Sequence, residues 1–271
     1  MTVLILYFSG TGNTRRIAED FKACLIKRNL SVIMHSIEER IDLTKISYDY
    51  LIIGCPKYYE YPAMLMLDYL KQNLQRREKL IPSMAFCTQA SPLKTDFTGF
   101  EKLLRKKNHQ LTVEASFPYA NNMMIFQAFK PTEPSALMEN QKDIRKRMEP
   151  LLDAFLKGQM SKEDTKAWQR PLIYMVAVTF SKLMPVFAMK FSADESCIHC
   201  GLCVKRCPME NIRMVQGNPV FQKHCLFCMR CINSCPVNAI RYNKRKCWQY
   251  KCEPRGQSAE SKPSALEEES K

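Results

Sequence analysis

The chain has 271 residues, a size that accommodates two domains, and its hydrophobic fraction of 46% and charged fraction of 25% are ordinary for a globular protein with a packed core. Its formal net charge of +14 would suit a nucleic-acid binder, but no long basic run interleaved with aromatic residues occurs, so nucleic acid is not an expected partner. Thirteen cysteines are unusual, and because no signal peptide precedes Val3 we expect thiols in a reducing cytoplasm rather than disulfides.

The first predicted element is a buried strand that leads through a polar loop into a helix. Residues 3–8 are an apolar run of strand length, typical of a strand covered on both faces in a parallel sheet. The loop after it reads S-G-T-G-N-T, and an amphipathic segment from Arg15 to Arg28 follows. Such a loop presents backbone N–H groups and hydroxyls at the positive end of a helix, where an anion can bind. It is neither a P-loop nor a G-x-G-x-x-G motif, because it has no lysine before the last threonine and its glycines are differently spaced.

This loop resembles the phosphate loop of flavodoxins, whose hydroxyls and amides bind the phosphate of FMN without a basic side chain. The resemblance implies that FMN is a cofactor of the chain. It assigns the phosphate to the loop residues Ser9, Gly10, Thr11, Gly12, Asn13 and Thr14.

Strands and helices alternate after this loop. Further strands are predicted at 31–35, 50–54, 83–88 and 110–117, with helical segments at 62–75 and 96–108. The alternation predicts an α/β fold with a parallel sheet and right-handed crossovers. A flavodoxin-like, doubly wound sheet has the strand order 2-1-3-4-5 and binds its cofactor at the carboxyl ends of the strands.

The loops after the third and fourth strands are therefore the candidates for contact with the flavin ring. Flavodoxins commonly stack an aromatic side chain on the ring, and Tyr58 is the first choice for this role and Tyr61 the second. The ring-contact candidates in the two loops are Pro56, Tyr58, Tyr61 and Gln89. Cys55 and Cys87, at the ends of the two strands, are interpreted as buried apolar filler.

A connector should separate the first domain from the second. A charged amphipathic helix at 135–156 closes the first predicted domain, residues 1–158, and an apolar segment at 168–191 dominates the connector, residues 159–191. Lys182 and Pro185 interrupt its apolar run, so neither piece approaches the length that spans a bilayer. We expect no transmembrane span, and we interpret the segment as a helix packed between the two domains.

The second predicted domain, residues 192–245, contains a cysteine motif in two copies. Each copy reads C-x-x-C-x-x-C-x-x-x-C-P, and the second lies 28 positions after the first, so that Cys197 recurs as Cys225 and Cys207 as Cys235. This run is typical of bacterial ferredoxins, in which the fourth cysteine ligates the other [4Fe–4S] cluster. Cluster A is thus assigned to Cys197, Cys200, Cys203 and Cys235. Cluster B is assigned to Cys225, Cys228, Cys231 and Cys207.

Structural zinc is the alternative use of paired cysteines in an intracellular chain. Zinc knuckles do not account for a three-plus-one run that ends twice in Cys-Pro. Ile212 and Ile240, which follow the two runs at the same offset, are expected to cover the clusters. The polar tail at 246–271 is expected to be disordered, with Cys247 and Cys252 as free thiols.

The order of these parts resembles the flavodoxin–ferredoxin fusion proteins of anaerobic bacteria and archaea. The resemblance implies a cytoplasmic electron-transfer protein in which FMN and two [4Fe–4S] clusters exchange electrons and pass them to a redox partner. The positive charge predicts that this partner has an acidic docking surface. Two alternatives stay open: a flavin-dependent reductase acting on its own small substrate, and a redox sensor that changes partners on cluster loss.

Overall fold

A computed structural model describes residues 1–90, 94–123, 125, 132, 134–163 and 167–250 of the chain. Within these residues the N-terminal domain has six strands and four α-helices. The strands are β1 (Thr2–Tyr7), β2 (Ser31–Ser36), β3 (Tyr50–Tyr58), β4 (Tyr61–Pro62), β5 (Ile81–Gln89) and β6 (His109–Pro118). The helices are α1 (Asn13–Lys27), α2 (Met64–Asn73), α3 (Thr98–Lys106) and α4 (Pro134–Leu156).

Five of these strands form one parallel sheet in the order β2-β1-β3-β5-β6. The sixth, β4, pairs antiparallel with the end of β3 and lies outside the parallel series. With β4 left out of the count, this is the predicted order 2-1-3-4-5, so the flavodoxin-like topology is confirmed.

The inner strand β1, between β2 and β3, shows why the chain folds this way. Leu4 and Leu6 face a core formed with α2 and α3, whereas Val3 and Ile5 face a core formed with α1 and α4. Both faces of β1 are therefore covered by helices, which explains its continuous apolar sequence. The carboxyl ends of the strands remain open for a ligand.

The long helix α5 (Arg170–Phe187) leads into the C-terminal domain, which is built from short elements around an aromatic core. In chain order these are β7 (Phe191–Ala193), α6 (Leu202–Lys205), β8 (Ile212–Val215), β9 (Asn218–Phe221), α7 (Arg230–Ser234), β10 (Ile240–Tyr242) and β11 (Arg245–Lys246). Strands β11, β10 and β7 form one sheet, and β8 and β9 form a hairpin. Phe191 packs against Phe221, Phe227 and Tyr242 with ring centroids 4.9–5.6 Å apart.

The predicted disorder from residue 246 is wrong for the first part of the tail. Cys247 is a free thiol, as expected, but it is 3% exposed and belongs to the core of the C-terminal domain. The side-chain amide of Gln249 donates to the carbonyl oxygens of Ile232 and Cys235, and the Tyr250 hydroxyl donates to Asn13 Oδ1 at 2.7 Å. These contacts order the chain up to Tyr250. Cys252 and the other residues of 251–271 lie outside the described residues.

The apolar connector forms one helix, α5, which contacts both domains, since Phe180 packs on Tyr59 of the first and Met184 packs on the core of the second. Lys182 and Pro185 do not interrupt it, and the segment Arg170–Lys190 is long and apolar enough to cross a membrane by length and composition. Only 11% of its most apolar window is buried, because its contacts with the rest of the protein are confined to one stripe. In that stripe Phe180 stacks on Tyr59 and Tyr174 meets Tyr61 edge-on.

Glu114 on β6 makes the stability of the N-terminal domain sensitive to pH. Burial raises its pKa to about 7, although its carboxylate accepts a hydrogen bond from the backbone N–H of Glu163 at 3.2 Å. The folded state therefore favours the neutral carboxyl. The stability this provides is complete below the ordinary pKa of 4.5 and is lost as the pH rises through about 7.

We expect Glu114→Gln to be more stable than the wild type at about pH 9, by about 1–2 kcal/mol after allowance for partial solvent screening, and no more stable at about pH 5. Urea unfolding at several pH values measures this difference. Glu78→Gln, at an exposed position, is the control and should show no such trend. A Glu114→Gln advantage that is the same at every pH would contradict the assignment.

Candidate functional site

The two cysteine motifs have the same backbone conformation. His199 and Gly201 have left-handed backbone angles in the first copy, and Phe227 and Met229 have them at the equivalent positions of the second. These turns curl each loop around a common centre, so that successive cysteines can point inwards. The internal repeat seen in the sequence is thus a repeat of structure.

The structure brings together the two crossed sets of cysteines. One small cavity is lined by Cys197, Cys200, Cys203 and Cys235. A second is lined by Cys207, Cys225, Cys228 and Cys231. Ile240 lines the first cavity and Ile212 the second, as the sequence predicts.

The spacing of these thiols suits a cluster better than a single ion. Within the described part of the chain, no three Cys, His, Asp or Glu side chains lie close enough together to hold one metal ion. Zinc would require thiolates about 2.3 Å from a common centre. A cubane instead takes one thiolate at each of its four irons, so its ligands surround a wider space. The residues present therefore fit two [4Fe–4S] clusters.

Backbone N–H groups donate hydrogen bonds to several of the sulfurs. Asn211 N–H donates to Cys207 Sγ and Ala239 N–H donates to Cys235 Sγ, each at 3.3 Å and at equivalent positions of the repeat. Phe227 N–H donates to Cys225 Sγ at the same distance. Such bonds stabilise negative charge on the sulfurs and raise the reduction potential of a cluster.

The two cavities differ in exposure. Cys200 is exposed in the cluster A set, and Ile198 and Val237, which line the same cavity, are 57% and 40% exposed. In the cluster B set Cys228 is buried and packs into the core of the N-terminal domain. Cluster A therefore lies towards the surface, and cluster B lies at the junction of the two domains.

Burial also affects the ionisation of the cluster B thiols. It raises the pKa of Cys225 to about 12 and that of Cys228 to about 11, although the nearby Arg230 guanidinium lowers the pKa of Cys228. These thiols are therefore protonated until iron binds. Cluster assembly must release their protons.

A larger cavity opens at the carboxyl ends of the N-terminal strands. It is open to solvent and has a volume of about 670 Å³. Its polar end is formed by the phosphate-loop residues, and its apolar wall includes Tyr58, Tyr59, Phe180 and Met184. Eight of the ten predicted cofactor-binding residues line it: Ser9, Gly10, Thr11, Asn13, Thr14, Pro56, Tyr58 and Gln89. A hydroxyl-rich end and an aromatic wall fit the phosphate and the ring of FMN.

Hydrogen bonds within the predicted phosphate loop, and from the loop to β5, fix its conformation. Ser9 Oγ accepts from the backbone N–H groups of Gly12 and Arg15, at 3.1 and 3.2 Å. Thr14 Oγ1 lies 2.8 Å from Thr88 Oγ1, which connects the loop to β5. The Asn13 side chain instead bonds to the protein, donating to the carbonyl oxygen of Ala120 and accepting from Tyr250. We therefore infer that Asn13 positions the loop.

The two tyrosines predicted for the ring have different surroundings. Tyr58 lines the cavity, and its buried hydroxyl has no hydrogen-bond partner among the described residues. Tyr61 does not line it. Its ring is 2% exposed in the core and contacts Tyr174, and its hydroxyl lies against Gly99. Tyr61 is therefore a packing residue, and this removes it from the residues predicted to contact the flavin ring.

Replacing Tyr58 tests its contact with the flavin. We expect Tyr58→Leu to raise the dissociation constant for FMN by about tenfold, because ring stacking contributes about 0.5–1.5 kcal/mol beyond buried area. Tyr61→Phe, which keeps the packing ring, should leave the constant unchanged. Fluorescence titration of flavin-depleted protein with FMN measures both. Equal effects of the two substitutions would contradict this division of roles.

Arg230 connects the second cysteine motif to the phosphate loop, and the sequence analysis missed it. Its guanidinium donates to the carbonyl oxygens of Ser9, Gly10 and Arg206, at 2.7–3.2 Å, and makes two bonds to the carboxylate of Glu38, at 2.6 and 2.7 Å. All five guanidinium N–H groups are thereby used. The sequence did carry one signal, since Leu202 occupies the equivalent position of the first copy.

Gly10 allows the two domains to approach closely at this point. A Cβ atom at Gly10 would lie 2.9 Å from the carbonyl oxygen of Cys228 and 2.9 Å from the Tyr58 hydroxyl. A side chain at position 10 would therefore displace a cluster B ligand or the candidate stacking residue. The phosphate loop, Tyr58 and cluster B meet around one glycine.

Comparison with known proteins agrees with the cysteine geometry. The model of the 4Fe-4S dicluster domain family matches residues 196–240, which include all eight predicted ligands. The chain carries a 4Fe-4S dicluster domain. This domain follows the flavodoxin-like domain, so both parts of the resemblance are confirmed, and the eight cysteines of the dicluster domain support two clusters. No curated protein matches the chain.

Solved flavodoxins resemble the N-terminal domain. A flavodoxin from the domain Archaea is 16% identical, with 55% of this chain and 99% of that one covered and a TM-score of 0.36. Oxidised flavodoxin 2 from Bacillus cereus is 18% identical, with 57% and 100% covered and a TM-score of 0.39. The flavodoxin-like assignment rests on the strand order rather than on these distant likenesses. A flavodoxin-like domain joined to a dicluster domain indicates electron transfer.

Proposed function

We propose that this chain is an electron-transfer protein that holds one FMN and two [4Fe–4S] clusters and passes electrons between them and a redox partner. Bound FMN supplies exchange of one or two electrons and each cluster supplies exchange of one, so the chain can convert between paired and single electrons. The fold of the chain sets the distances between the FMN and the two clusters.

The contact between the phosphate loop and the second cysteine motif carries this proposal. Arg230 lies two residues after the cluster B ligand Cys228 and bonds to Ser9 and Gly10 in the loop. The loop and the ligand therefore cannot separate while these bonds persist. Joining two sites on one chain also raises the effective concentration of each for the other.

Tyr58 and Tyr59 fill the space between the flavin cavity and cluster B. Both line the flavin cavity, and both also line a small cavity that contains Cys225. The proposed route therefore runs from the flavin past these tyrosines to cluster B. Because cluster A is the more exposed, we assign it the exchange with the partner, which docks over Ile198 and Val237 through an acidic surface.

Anaerobic cofactor analysis tests the proposal. Purified protein should contain about eight iron, about eight acid-labile sulfide and about one FMN per chain. Eight iron without flavin after reconstitution with FMN would overturn it. Flavin that is reoxidised by a small organic substrate but not by either cluster would favour the reductase instead.

A further inference from the structure

The outward face of α5 is an extended apolar surface. It is formed by Leu172, Met175, Leu183, Val186, Phe187 and Met189, which are 41–58% exposed. Trp168, just before the helix, is 70% exposed. An exposed apolar surface of this length marks an interaction site. We call it the α5 face.

Helix α5 cannot span a bilayer while the two domains stay joined. Before the helix, Ser161 pairs with Thr112 and Glu114 on either side of Val113, and after it β7 pairs with β10. Arg230 joins the same two domains directly. A hydrocarbon core of about 30 Å would have to separate them if α5 crossed it. Any contact of this helix with a membrane must therefore be along the membrane surface.

The charges around the α5 face identify the kind of surface that it suits. Lys182 and Lys190 are the exposed charged residues of the segment 167–193, which contains no Asp or Glu, whereas Arg170 has a buried Nε and lies near Glu114. The Lys190 ammonium lies 4.9 Å from the ring centre of Phe187, so its stem extends over the apolar surface. Exposed apolar side chains flanked by basic ones are typical of helices that bind anionic bilayers.

Charge argues against a second copy of the chain as the occupant. A symmetric dimer through this face would bring the exposed Lys182 and Lys190 side chains of each copy towards one another, with no carboxylate in the segment to compensate. Anionic lipid headgroups neutralise these charges, and the acyl region accepts the apolar side chains.

We propose that the α5 face docks the protein on the surface of an anionic membrane, with the helix axis in the plane of the bilayer. The inner side of the same helix provides Phe180 and Met184 to the flavin cavity. Docking and the flavin site therefore share one element.

Vesicle flotation of the holoprotein tests this. The wild type should float with vesicles that contain about 30% phosphatidylglycerol and should bind pure phosphatidylcholine vesicles at least about tenfold more weakly. Leu183→Ser combined with Val186→Ser should reduce binding to the anionic vesicles by at least about tenfold. Leu80→Ser, at an exposed apolar position in the N-terminal domain, is the matched control and should bind like the wild type. Iron content and visible spectra establish that each variant has assembled.

Three outcomes would overturn the proposal. They are absence of wild-type binding to anionic vesicles, equal binding by the double variant, and a wild-type dimer in sedimentation that the double variant abolishes. Binding of the wild type to the anionic vesicles should also weaken in high salt, because salt screens the lysine charges, and salt-independent binding would contradict the role given to those charges.

Discussion

Replacing Cys207 by alanine is expected to damage cluster B, although Cys207 belongs to the first cysteine motif. The reason is the crossed arrangement, in which Cys207 lines the cavity of Cys225, Cys228 and Cys231. Iron should fall from about eight towards about four per chain, because one of two equal clusters is lost. Cys235→Ala should cause the same loss at cluster A.

Double substitutions show which cluster each cysteine serves. Cys207→Ala combined with Cys228→Ala should retain about as much iron as Cys228→Ala alone, because both residues then belong to one cluster. Cys207→Ala combined with Cys200→Ala should retain almost none. An uncrossed arrangement predicts the reverse pattern, so iron analysis of these two proteins decides between the arrangements. Wild-type iron content in both Cys207→Ala and Cys235→Ala would also defeat the crossed assignment.

Arg230→Gln is expected to slow electron transfer between flavin and clusters by at least about tenfold. Hydrogen bonds to charged groups each contribute about 1.5–3 kcal/mol, and glutamine cannot replace the five bonds of the guanidinium. The phosphate loop should then separate from Cys228, and the two carriers should move apart. Flash reduction followed by absorption at flavin and cluster wavelengths measures the rate.

The expected loss is specific to the position of Arg230. Arg213→Gln removes an exposed arginine from β8 of the same domain and should leave the rate unchanged. Cluster content should be normal in both variants, since neither residue is a ligand. The dissociation constant for FMN should rise in Arg230→Gln alone, because Arg230 holds two carbonyl groups of the phosphate loop. Unchanged rate and affinity in Arg230→Gln would show that the contact is dispensable.

The parts of the structure that local sequence dictates were predictable. The cysteine spacing is a short-range constraint, because three ligands within seven residues can meet only around one centre, and the structure gathers the two crossed sets. The run from Val3 to Phe8 predicted a buried strand because a strand covered on both faces of a parallel sheet is apolar at successive positions. The position of the anion loop followed from that strand.

The parts that depend on contacts between distant segments were not predictable. Arg230 lies 220 residues from Gly10 in sequence, and nothing near either residue indicates the bond. Tyr58 and Tyr61 are similar in sequence context, but a turn at Tyr59 and Glu60, both with left-handed backbone angles, sends Tyr61 back into the core. Cys247 is buried because of the way β10 and β11 pack. Its neighbours in the sequence are polar and do not indicate this burial.

The central claim is that one chain brings a flavin and cluster B close enough to exchange electrons, and intramolecular kinetics test it most directly. Protein with full flavin and iron content would be reduced by a short flash, and redistribution of electrons between flavin and clusters followed at increasing protein concentration. We expect a first-order rate constant that does not change over about a tenfold range of protein concentration, since flavin and clusters are on one chain. A rate proportional to protein concentration, or no redistribution at all, would contradict it.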